Sequence, residues 1–391
     1  MASVIIGASR TPIGRFGGAL SSLRALDLGS HAMQAALGEL NGNKIDEVIF
    51  GQVLQAGEGQ ITSRQAATRA GIPMTVPSIT INKVCLSGLA AVGLADRSVR
   101  LGDARFVMAG GMESMSNAPY VMPKARWGAR IGNAEMIDVL QHDGLFCAFD
   151  RCTMGESSDL KNRQLRISRM AQDEWSARSH ARALEASDSG KFAAEIAPVR
   201  VPQPKGDSVI VDRDEGIRPG VTVETLTGLR PAFMDEGTIT AGNASQISDG
   251  GAAVVVADDR AAEAEGHEVL AIIRAYGQIG GADATLHERP AEALQVALKK
   301  ADLTASDLHA VEINEAFAAV ALWSTKMLEI SEDIVNVHGG AVALGHPIGA
   351  TGARLVVSLI NVLKQRGGGL GAVTLCGGGG QGDALVVEVP A

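Results

Sequence analysis

The chain has 391 residues, of which 46% are hydrophobic and 20% are charged, and its formal net charge is −9. This length predicts two or three domains, and the acidic balance argues against nucleic acid or an anionic membrane as the main partner. The four cysteines, Cys85, Cys147, Cys152 and Cys376, form neither a disulfide framework nor a CxxC zinc pair. Because no apolar run reaches 18 residues and a strand-like run starts almost at once, we expect a cytoplasmic protein without targeting peptide or membrane span.

The first part of the chain alternates short apolar runs with longer segments of helical length. The strand-like runs are Val4–Ala8, Glu47–Val53, Ser78–Asn82 and Arg105–Gly110. The helix-like segments between them include Ala25–Leu40 and Leu86–Leu101. This alternation predicts an α/β fold.

The middle of the chain has a different composition. Seven of the 13 prolines fall between positions 119 and 231, and half of the methionines lie between Met112 and Met170. We expect a loop-rich insertion with one polar helix over Ala171–Ser187. Such a segment is either an irregular surface subdomain or, with its methionines, part of an adaptable binding site.

The last part returns to the alternating pattern. Its strand-like runs are Ala252–Ala257, Leu270–Tyr276, Ala310–Ile313, Ile334–Val337, Ala372–Leu375 and Leu385–Val389, with helical segments Ala291–Ala301, Ala316–Glu329 and Thr351–Gln365. Both parts run through a strand, a reactive residue at the start of a helix rich in small residues, a further strand and a Gly-rich turn. We interpret this as the duplication of one α/β unit. Glycine costs roughly 1 kcal/mol in a helix interior, so these two helices are expected to pack tightly between two sheets.

Three residues at the ends of predicted elements could carry chemistry. Cys85 stands where a helix is expected to begin, a position that favours a thiolate nucleophile, although a buried structural cysteine is the commoner case. His346, between Gly345 and Pro347, could act as a base toward a thiol or could be a capping or core histidine. Asn314, at a strand end, could donate to an oxyanion or hold a water, or it could simply cap the next helix.

The segment "LCGGGGQGD" places Cys376 before glycines that match the dinucleotide-binding spacing. That fingerprint needs a following helix, a further strand and an acidic residue about 20 positions on. The segment after Gly382 is strand-like and ends at Ala391, so we predict strand, glycine turn, strand. With Cys85, His346 and Asn314, Cys376 forms a plausible set for acyl transfer through a thioester.

At these residues the sequence resembles the thiolase family, and in particular its acetyl-CoA acetyltransferases. The blocks that carry the resemblance span nearly the whole chain and include "NKVCLSGLAAV", "NEAFAAVA", "GGAVALGHPIGATGAR" and "CGGGGQGDA". The resemblance implies a five-layer αβαβα sandwich made of two duplicated halves with an inserted loop domain. It places the N-terminal half at residues 1–116 plus 247–267, the CoA-binding loop domain at 117–246 and the C-terminal half at 268–391.

The resemblance also implies a role for each site residue. Cys85 would carry the acyl group, His346 would take its proton, and Cys376 would act as the acid and base. Asn314, through a water, and His346 would stabilise an enolate, while the backbone N–H groups of Cys85 and Gly378 would hold the tetrahedral oxyanion. The residues implied in binding the substrate or CoA are Ser245, Arg218, Thr225, Met154, Phe233, Ala316 and Phe317.

The implied reaction joins two acetyl-CoA molecules reversibly into acetoacetyl-CoA and CoA, without a metal or other cofactor. The alternatives are a degradative 3-ketoacyl-CoA thiolase and a non-catalytic acyl-CoA binding protein. Two departures from the family pattern bear on substrate preference: Thr153 stands where many biosynthetic thiolases have His, and His338 stands where Asn is usual. The resemblance further implies a homo-oligomer, a tetramer built as a dimer of dimers.

Overall fold

The computed structural model describes residues 2–391. In chain order its β-strands are β1 (Ser3–Arg10), β2 (Gly14–Arg15), β3 (Glu47–Gly51), β4 (Ser78–Ile81), β5 (Phe106–Ser114), β6 (Tyr120–Val121), β7 (Ile137–Asp138), β8 (Phe146–Cys147), β9 (Cys152–Thr153), β10 (Val199–Val201), β11 (Val209–Val211), β12 (Ser248–Asp258), β13 (Ala271–Gly280), β14 (Ala310–Ile313), β15 (Gly369–Gly377) and β16 (Gln381–Val389).

Helices connect most of the strands of the main sheet. They are α1 (Ala25–Leu37), α2 (Thr62–Arg69), α3 (Ser87–Leu101), α4 (Met154–Leu165), α5 (Arg169–Asp188), α6 (Val223–Thr227), α7 (Asp259–Ala264), α8 (Arg289–Ala301), α9 (Ala318–Met327), α10 (Ala341–Leu344) and α11 (Thr351–Gln365). The predicted α/β alternation is therefore confirmed.

The main sheet consists of two halves with the same strand order. The N-terminal half runs β4-β3-β5-β12-β1, the C-terminal half runs β14-β15-β16-β13, and β1 and β13 join them. In each half the inner pairs are antiparallel and the outer pairs are parallel. A single parallel bridge from Val335 to Val311 in β14 takes the place that β4 has in the other half. This repeated order confirms the predicted duplication.

Three apolar clusters stack these elements into five layers. In the first, Met33 of α1 and Ala66 of α2 pack against one face of the N-terminal half. In the central cluster, residues of α3 and α11 lie between the two halves of the sheet. In the third, Leu294 of α8 and Ala321 of α9 cover the outer face of the C-terminal half. The order is helix, sheet, helix, sheet, helix, and it confirms the predicted αβαβα sandwich.

The two central helices approach each other closely because both carry glycine at their contact. A Cβ added to Gly352 of α11 would lie 2.3 Å from the backbone nitrogen of Leu89, and one added to Gly88 of α3 would lie 2.8 Å from that of Ala353. These distances exclude any side chain at either position. The helical glycines therefore pack the central layer, as their position in the sequence predicts.

One predicted strand is wrong. The segment Ile334–Val337 forms only the bridge at Val335, because Asn336 has a left-handed φ of 46° and leaves the strand path. The Asn336 side chain replaces the missing backbone pairing: Oδ1 accepts from the N–H of Ile313 at 2.8 Å, and Nδ2 donates to its carbonyl at 2.8 Å. The side-chain amide thus extends the sheet by one position without a strand.

The chain leaves the sheet after β5 and returns at β12, and these two strands pair with each other, Ser114 opposite Asp249. The intervening segment contains three two-stranded sheets, β6/β7, β8/β9 and β10/β11, and helices α4 to α6. The predicted polar helix is observed as α5. Across residues 2–391, no helix combines the length and the apolar character needed to cross a membrane.

Candidate active site

The site is a cavity of about 410 Å³ at which both halves of the sheet and the middle segment meet. Nine of the twelve residues predicted for the site line it: Cys85, Met154, Phe233, Ser245, Ala316, Phe317, His346, Cys376 and Gly378. Asn314 lies directly behind this wall, against His346. Residues more than 290 positions apart in the chain therefore form one site.

Cys85 lies in a tight turn just before α3. The preceding residue, Val84, has a left-handed φ of 51°, a strained conformation for a β-branched side chain. Two hydrogen bonds hold it: Asn82 Oδ1 accepts from the Val84 N–H at 2.9 Å, and Ser87 Oγ donates to the Val84 carbonyl at 2.6 Å. The strained turn places the Cys85 thiol in the cavity.

Burial decides the protonation of this thiol. Loss of solvent raises the pKa of Cys85 to about 12, while the backbone N–H groups of Gly378 and of Cys85 itself act in the opposite direction. These N–H groups favour a thiolate, but they do not offset burial. The resting group is a neutral thiol, so it needs a base to become a nucleophile.

His346 has its ring fixed in one tautomer by Thr351. The Thr351 hydroxyl donates its only proton to the Pro347 carbonyl at 2.9 Å. The same oxygen lies 2.7 Å from Nδ1 of His346, so it accepts from Nδ1–H. Burial, followed by the charge of Arg354, lowers the pKa of His346 to about 3. The ring is neutral, and its Nε2 lone pair accepts from Nδ2 of Asn314 at 3.4 Å.

Asn314 follows β14 and is fully buried. Its backbone N–H donates to the Thr374 carbonyl at 3.1 Å, which fixes it beside β15. Its side-chain Nδ2 lies 3.4 Å from Nε2 of His346, while its Oδ1 makes no hydrogen bond with residues 2–391. The amide thus lies behind the cavity wall and donates to the Nε2 lone pair of His346.

Cys376 lies near the end of β15, opposite Gly382 of β16. Residues Gly378–Gly380 form the turn between these strands, which confirms the predicted strand, glycine turn, strand. Gly380 has a φ of +70°, and a Cβ there would lie 1.8 Å from the carbonyl oxygen of Asp283. Burial, and then the nearby Cys85, raise the pKa of Cys376, so the cavity holds two neutral thiols.

Comparison with known proteins agrees with this geometry. The model described as the thiolase N-terminal domain matches residues 3–260, and the model of the thiolase C-terminal domain matches residues 267–389.

The chain belongs to the thiolase family.

Its relatives include a "Probable acetyl-CoA acetyltransferase" of Mycolicibacterium smegmatis, 48% identical over 98% of this chain and 100% of the relative. An "Acetyl-CoA acetyltransferase" of Chromobacterium violaceum is 47% identical over the full length of both chains. The crystal structure of the Bacillus anthracis acetyl-CoA acetyltransferase superposes with a TM-score of 0.96 at 40% identity, covering 99% of this chain and 98% of that one.

The supporting role of two carboxylates beside the site of this thiolase was not predicted from the sequence. Glu113 accepts hydrogen bonds from the backbone N–H groups of Val53, Leu54 and Gly349, which ties the loop after His346 to the end of β3. Burial raises the pKa of Glu113 to about 7. The only indication of this role in the sequence is that Glu113 is an acidic residue inside an otherwise apolar strand.

Glu315 holds the segment after Asn314 through four donors. It accepts from Trp175 Nε1 at 2.9 Å and Ser179 Oγ at 2.8 Å, both on α5. It also accepts from Asn336 Nδ2 at 2.9 Å and from the Val342 N–H at 3.0 Å. This carboxylate links the middle segment to the C-terminal half of the thiolase beside Asn314.

Two predicted CoA contacts lie away from the cavity wall. The N–H of Arg218 donates to Nδ1 of His180 at 3.4 Å. Thr225 lies in α6, where its N–H donates to the Thr222 hydroxyl at 3.3 Å. The structure therefore brings neither residue to the thiols.

The two departures from the thiolase pattern have different surroundings. Thr153 lines the cavity, and its hydroxyl caps α4 by accepting from the Glu156 N–H at 3.2 Å. His338 is not among the cavity-lining residues; its ring packs edge-on against Phe192, with the centroids 5.8 Å apart. Burial lowers the pKa of His338 to about 4. Of the two departures, Thr153 is therefore the one in contact with the cavity.

Across residues 2–391, no group of three or more His, Cys, Asp or Glu side chains is arranged to hold a metal ion. The groups at the cavity are instead thiols, an imidazole and backbone N–H groups, with the Asn314 amide behind the imidazole. This set suits proton transfer and the stabilisation of oxyanions.

Proposed function

We propose that this thiolase is an acetyl-CoA C-acetyltransferase that condenses two acetyl-CoA molecules reversibly into acetoacetyl-CoA and CoA. The observation that carries the proposal is that Cys85, Cys376 and His346 line one cavity, with the Asn314 amide against Nε2 of His346. The names of the relatives agree with this substrate. No metal or further cofactor is needed, because CoA thioesters are themselves the substrates.

The first half-reaction transfers an acetyl group to Cys85. His346 Nε2 takes the proton of the thiol, and the resulting thiolate attacks the acetyl carbonyl carbon. The N–H groups of Gly378 and Cys85, which already act on the Cys85 sulfur, stabilise the tetrahedral oxyanion. The carbon–sulfur bond to CoA then breaks, and Cys376 gives its proton to the leaving CoA thiolate.

The second half-reaction forms the new carbon–carbon bond. The Cys376 thiolate removes a proton from the methyl group of a second acetyl-CoA. The protonated His346 and, through a water, Asn314 stabilise the enolate oxygen, and donors of this kind each contribute roughly 10²–10³ in rate. The enolate attacks acetyl-Cys85, the thiolate of Cys85 leaves, and it recovers its proton from His346. All protons are balanced, and the mechanism is ping-pong.

The remaining predicted residues are proposed as substrate contacts. Ser245 would contact the pantetheine arm, while Met154, Phe233, Ala316 and Phe317 surround the acyl group. The apolar lining agrees with this role, since acyl sites exclude water from the reacting carbon.

Arg218 and Thr225 are proposed to bind the nucleotide end of CoA. Both lie away from the cavity wall, and such a position agrees with a substrate whose nucleotide is far from its thioester. Charge at Arg218 would pair with phosphate. Replacing Arg218 with Ala should raise KM for acetyl-CoA and leave kcat nearly unchanged.

We propose the following organisation for the chain. Residues 1–116 with 247–267 form the N-terminal half, residues 117–246 the CoA-binding loop domain and residues 268–391 the C-terminal half; the direct pairing of β5 with β12 supports this division. We also propose a homotetramer, a dimer of dimers, in the cytoplasm. The free cysteines agree with a reducing compartment, and light scattering would measure the assembly.

The test of the function is the formation of acetoacetyl-CoA from acetyl-CoA alone, with thiolysis measured on acetoacetyl-CoA and on a long-chain 3-ketoacyl-CoA. We expect the short substrate to be preferred. A strong preference for the long chain would instead indicate a degradative 3-ketoacyl-CoA thiolase. The substitution Thr153→His, assayed on the same two substrates, would show whether this position sets the preference.

A further inference from the structure

Two of the free cysteines face each other next to the active-site cavity without lining it. Cys147 ends β8 and Cys152 begins β9, and the register of this antiparallel pair places them directly opposite each other. Both thiols are free. The catalytic scheme uses neither of them.

The position of the pair fits a disulfide bond. Directly opposite residues of an antiparallel pair have Cα atoms roughly 4.5–5.5 Å apart, and a disulfide bridges Cα atoms roughly 4.4–6.8 Å apart. The turn that joins the two strands is already closed, since the Arg151 N–H donates to the Cys147 carbonyl at 2.8 Å. The register of the pair is therefore compatible with a disulfide, and the Cys147 Sγ in this structure accepts from the Asp150 N–H at 3.4 Å.

We propose that Cys147 and Cys152 form a reversible cross-strand disulfide at the edge of the active site, with a small disulfide of the glutathione type as oxidant. The thiolate of Cys152 attacks one sulfur of glutathione disulfide and releases one glutathione. The thiolate of Cys147 then attacks the Cys152 sulfur of this mixed disulfide and releases the second glutathione. The protein loses two protons and two electrons, and glutathione disulfide is reduced to two thiols.

Accessibility separates this pair from the catalytic thiols. Cys152 is partly exposed and can meet a soluble disulfide, whereas Cys85 is 4% exposed and Cys376 is 1% exposed. Cys147, opposite Cys152 in the hairpin, is buried and would act as the resolving thiol. Thiol oxidation depends on access as well as on ionisation, so the hairpin should react before the catalytic pair.

The hairpin formed by β8 and β9 contacts the glycine turn Gly378–Gly380 that follows Cys376. Its tip residue Phe149 lies over Gly379, where an added Cβ would be 3.1 Å from Cε2 of the ring. On the other side, β9 continues through Thr153 into Met154, and both line the cavity. A disulfide across the base of the hairpin would hold these residues in one arrangement. The effect on turnover rests on the proposed function, but the formation of the disulfide does not.

Tryptic mapping tests the proposal directly, because Arg151 lies between the two cysteines in the sequence. Cleavage there places Cys147 in peptide 131–151 and Cys152 in peptide 152–161, while Cys85 and Cys376 fall in two other peptides. The protein is equilibrated in glutathione buffers of increasing disulfide content, quenched in acid, alkylated, digested and analysed by mass spectrometry. We expect peptides 131–151 and 152–161 to become linked, and dithiothreitol to separate them.

Either of two results would overturn the proposal. Both peptides could remain alkylated, or carry only separate glutathione groups, at the most oxidising ratio; alternatively, the Cys85 and Cys376 peptides could become linked at a lower ratio than this pair. Cys152→Ser is the matched control for turnover. Oxidation should lower the kcat/KM of the wild-type protein reversibly and leave that of Cys152→Ser unchanged; equal losses in both proteins would contradict the effect on the active site.

Discussion

The Thr351 hydroxyl lies 2.7 Å from Nδ1 of His346 and donates its own proton to the Pro347 carbonyl. This relationship leaves Nε2 of His346 without a proton, so that it accepts from Nδ2 of Asn314 at 3.4 Å. A threonine outside the cavity wall thereby determines which ring nitrogen is able to act as a base. In the proposed mechanism the activation of Cys85 depends on this nitrogen, since burial keeps the thiol protonated.

Replacing Thr351 with Val should remove this control while preserving the shape of the side chain. Because Nδ1–H loses its acceptor and either tautomer becomes accessible, we expect kcat to fall about 10- to 100-fold, part of the contribution of a positioned base. Thr351→Ser retains the hydroxyl and should recover most of the rate. A Thr351→Val rate within about twofold of wild type, with normal thermal unfolding, would contradict the assigned tautomer.

Gly352→Ala tests the close packing of the central helices. The added Cβ would lie 2.3 Å from the backbone nitrogen of Leu89, where no flexible side chain can move aside. Overpacking of this kind costs roughly 1–3 kcal/mol or more, so a lower midpoint of unfolding is expected. Gly280→Ala is the matched control, because its Cβ would meet nothing within 4 Å. Equal midpoints for the two variants would contradict the packing argument.

Glu315→Gln should destabilise the hydrogen-bonded segment that holds Asn314 in place. The carboxylate accepts from four donors, and the amide would place its own NH₂ group against some of them. Hydrogen bonds to a charged group contribute roughly 1.5–3 kcal/mol each, so the free energy of unfolding should fall by a few kcal/mol and kcat should decrease. The exposed Glu329, changed to Gln, is the control and should behave as wild type.

Buried histidines should make the protein sensitive to acid. Burial lowers the pKa of four of them, to about 3 for one and to about 4 for the others: His346, His180, His287 and His338. Between about pH 4 and about pH 6.5 the unfolded chain binds protons at these rings and the native state does not, so stability falls as the pH drops through this range. Raised carboxyl pKa values, about 7 for Glu113 and about 8 for Glu312, act in the opposite direction.

His338→Asn isolates one of these contributions without touching the cavity. On refolding at about pH 5, the variant should release about one proton fewer than the wild-type protein, because its unfolded chain lacks the imidazole that binds this proton. Urea unfolding across pH values measures this as a smaller slope of the free energy against pH. At about pH 8 the two slopes should coincide, because the free imidazole is already neutral there. An unchanged slope in the acidic range would show that His338 is protonated in the native state.

Much of the architecture is predictable because local patterns agree with it. The alternation of elements, the duplication and the glycine-rich helices all follow from periodicity, and α11 begins and ends at the predicted residues. The strand predicted at Ile334–Val337 is wrong because the side chain of Asn336 makes the pairing there. The hydrophobic pattern of the sequence does not indicate a pairing of this kind. A side chain that pairs in place of the backbone depends on the neighbouring strand, so it cannot be predicted from the residues of the segment alone.

The candidate site likewise has features that the sequence predicts and features that it does not. Ends of strands and helices indicate which residues can meet, so Cys85 and Cys376 are identifiable from the sequence. Their raised pKa values are not, because burial arises from elements distant in the chain. The role of Glu113 likewise depends on backbone groups about 60 and 236 positions away.

The central claim is that the two thiols have separate roles, Cys85 as acyl carrier and Cys376 as proton shuttle. Its most direct measurement is the mass of the Cys85 peptide after incubation with acetyl-CoA, in wild type, Cys85→Ala and Cys376→Ala. We expect an acetyl group in Cys376→Ala, formed slowly and without any acetoacetyl-CoA, and none at this peptide in Cys85→Ala. An acetyl adduct that persists in Cys85→Ala but is lost in Cys376→Ala would contradict it.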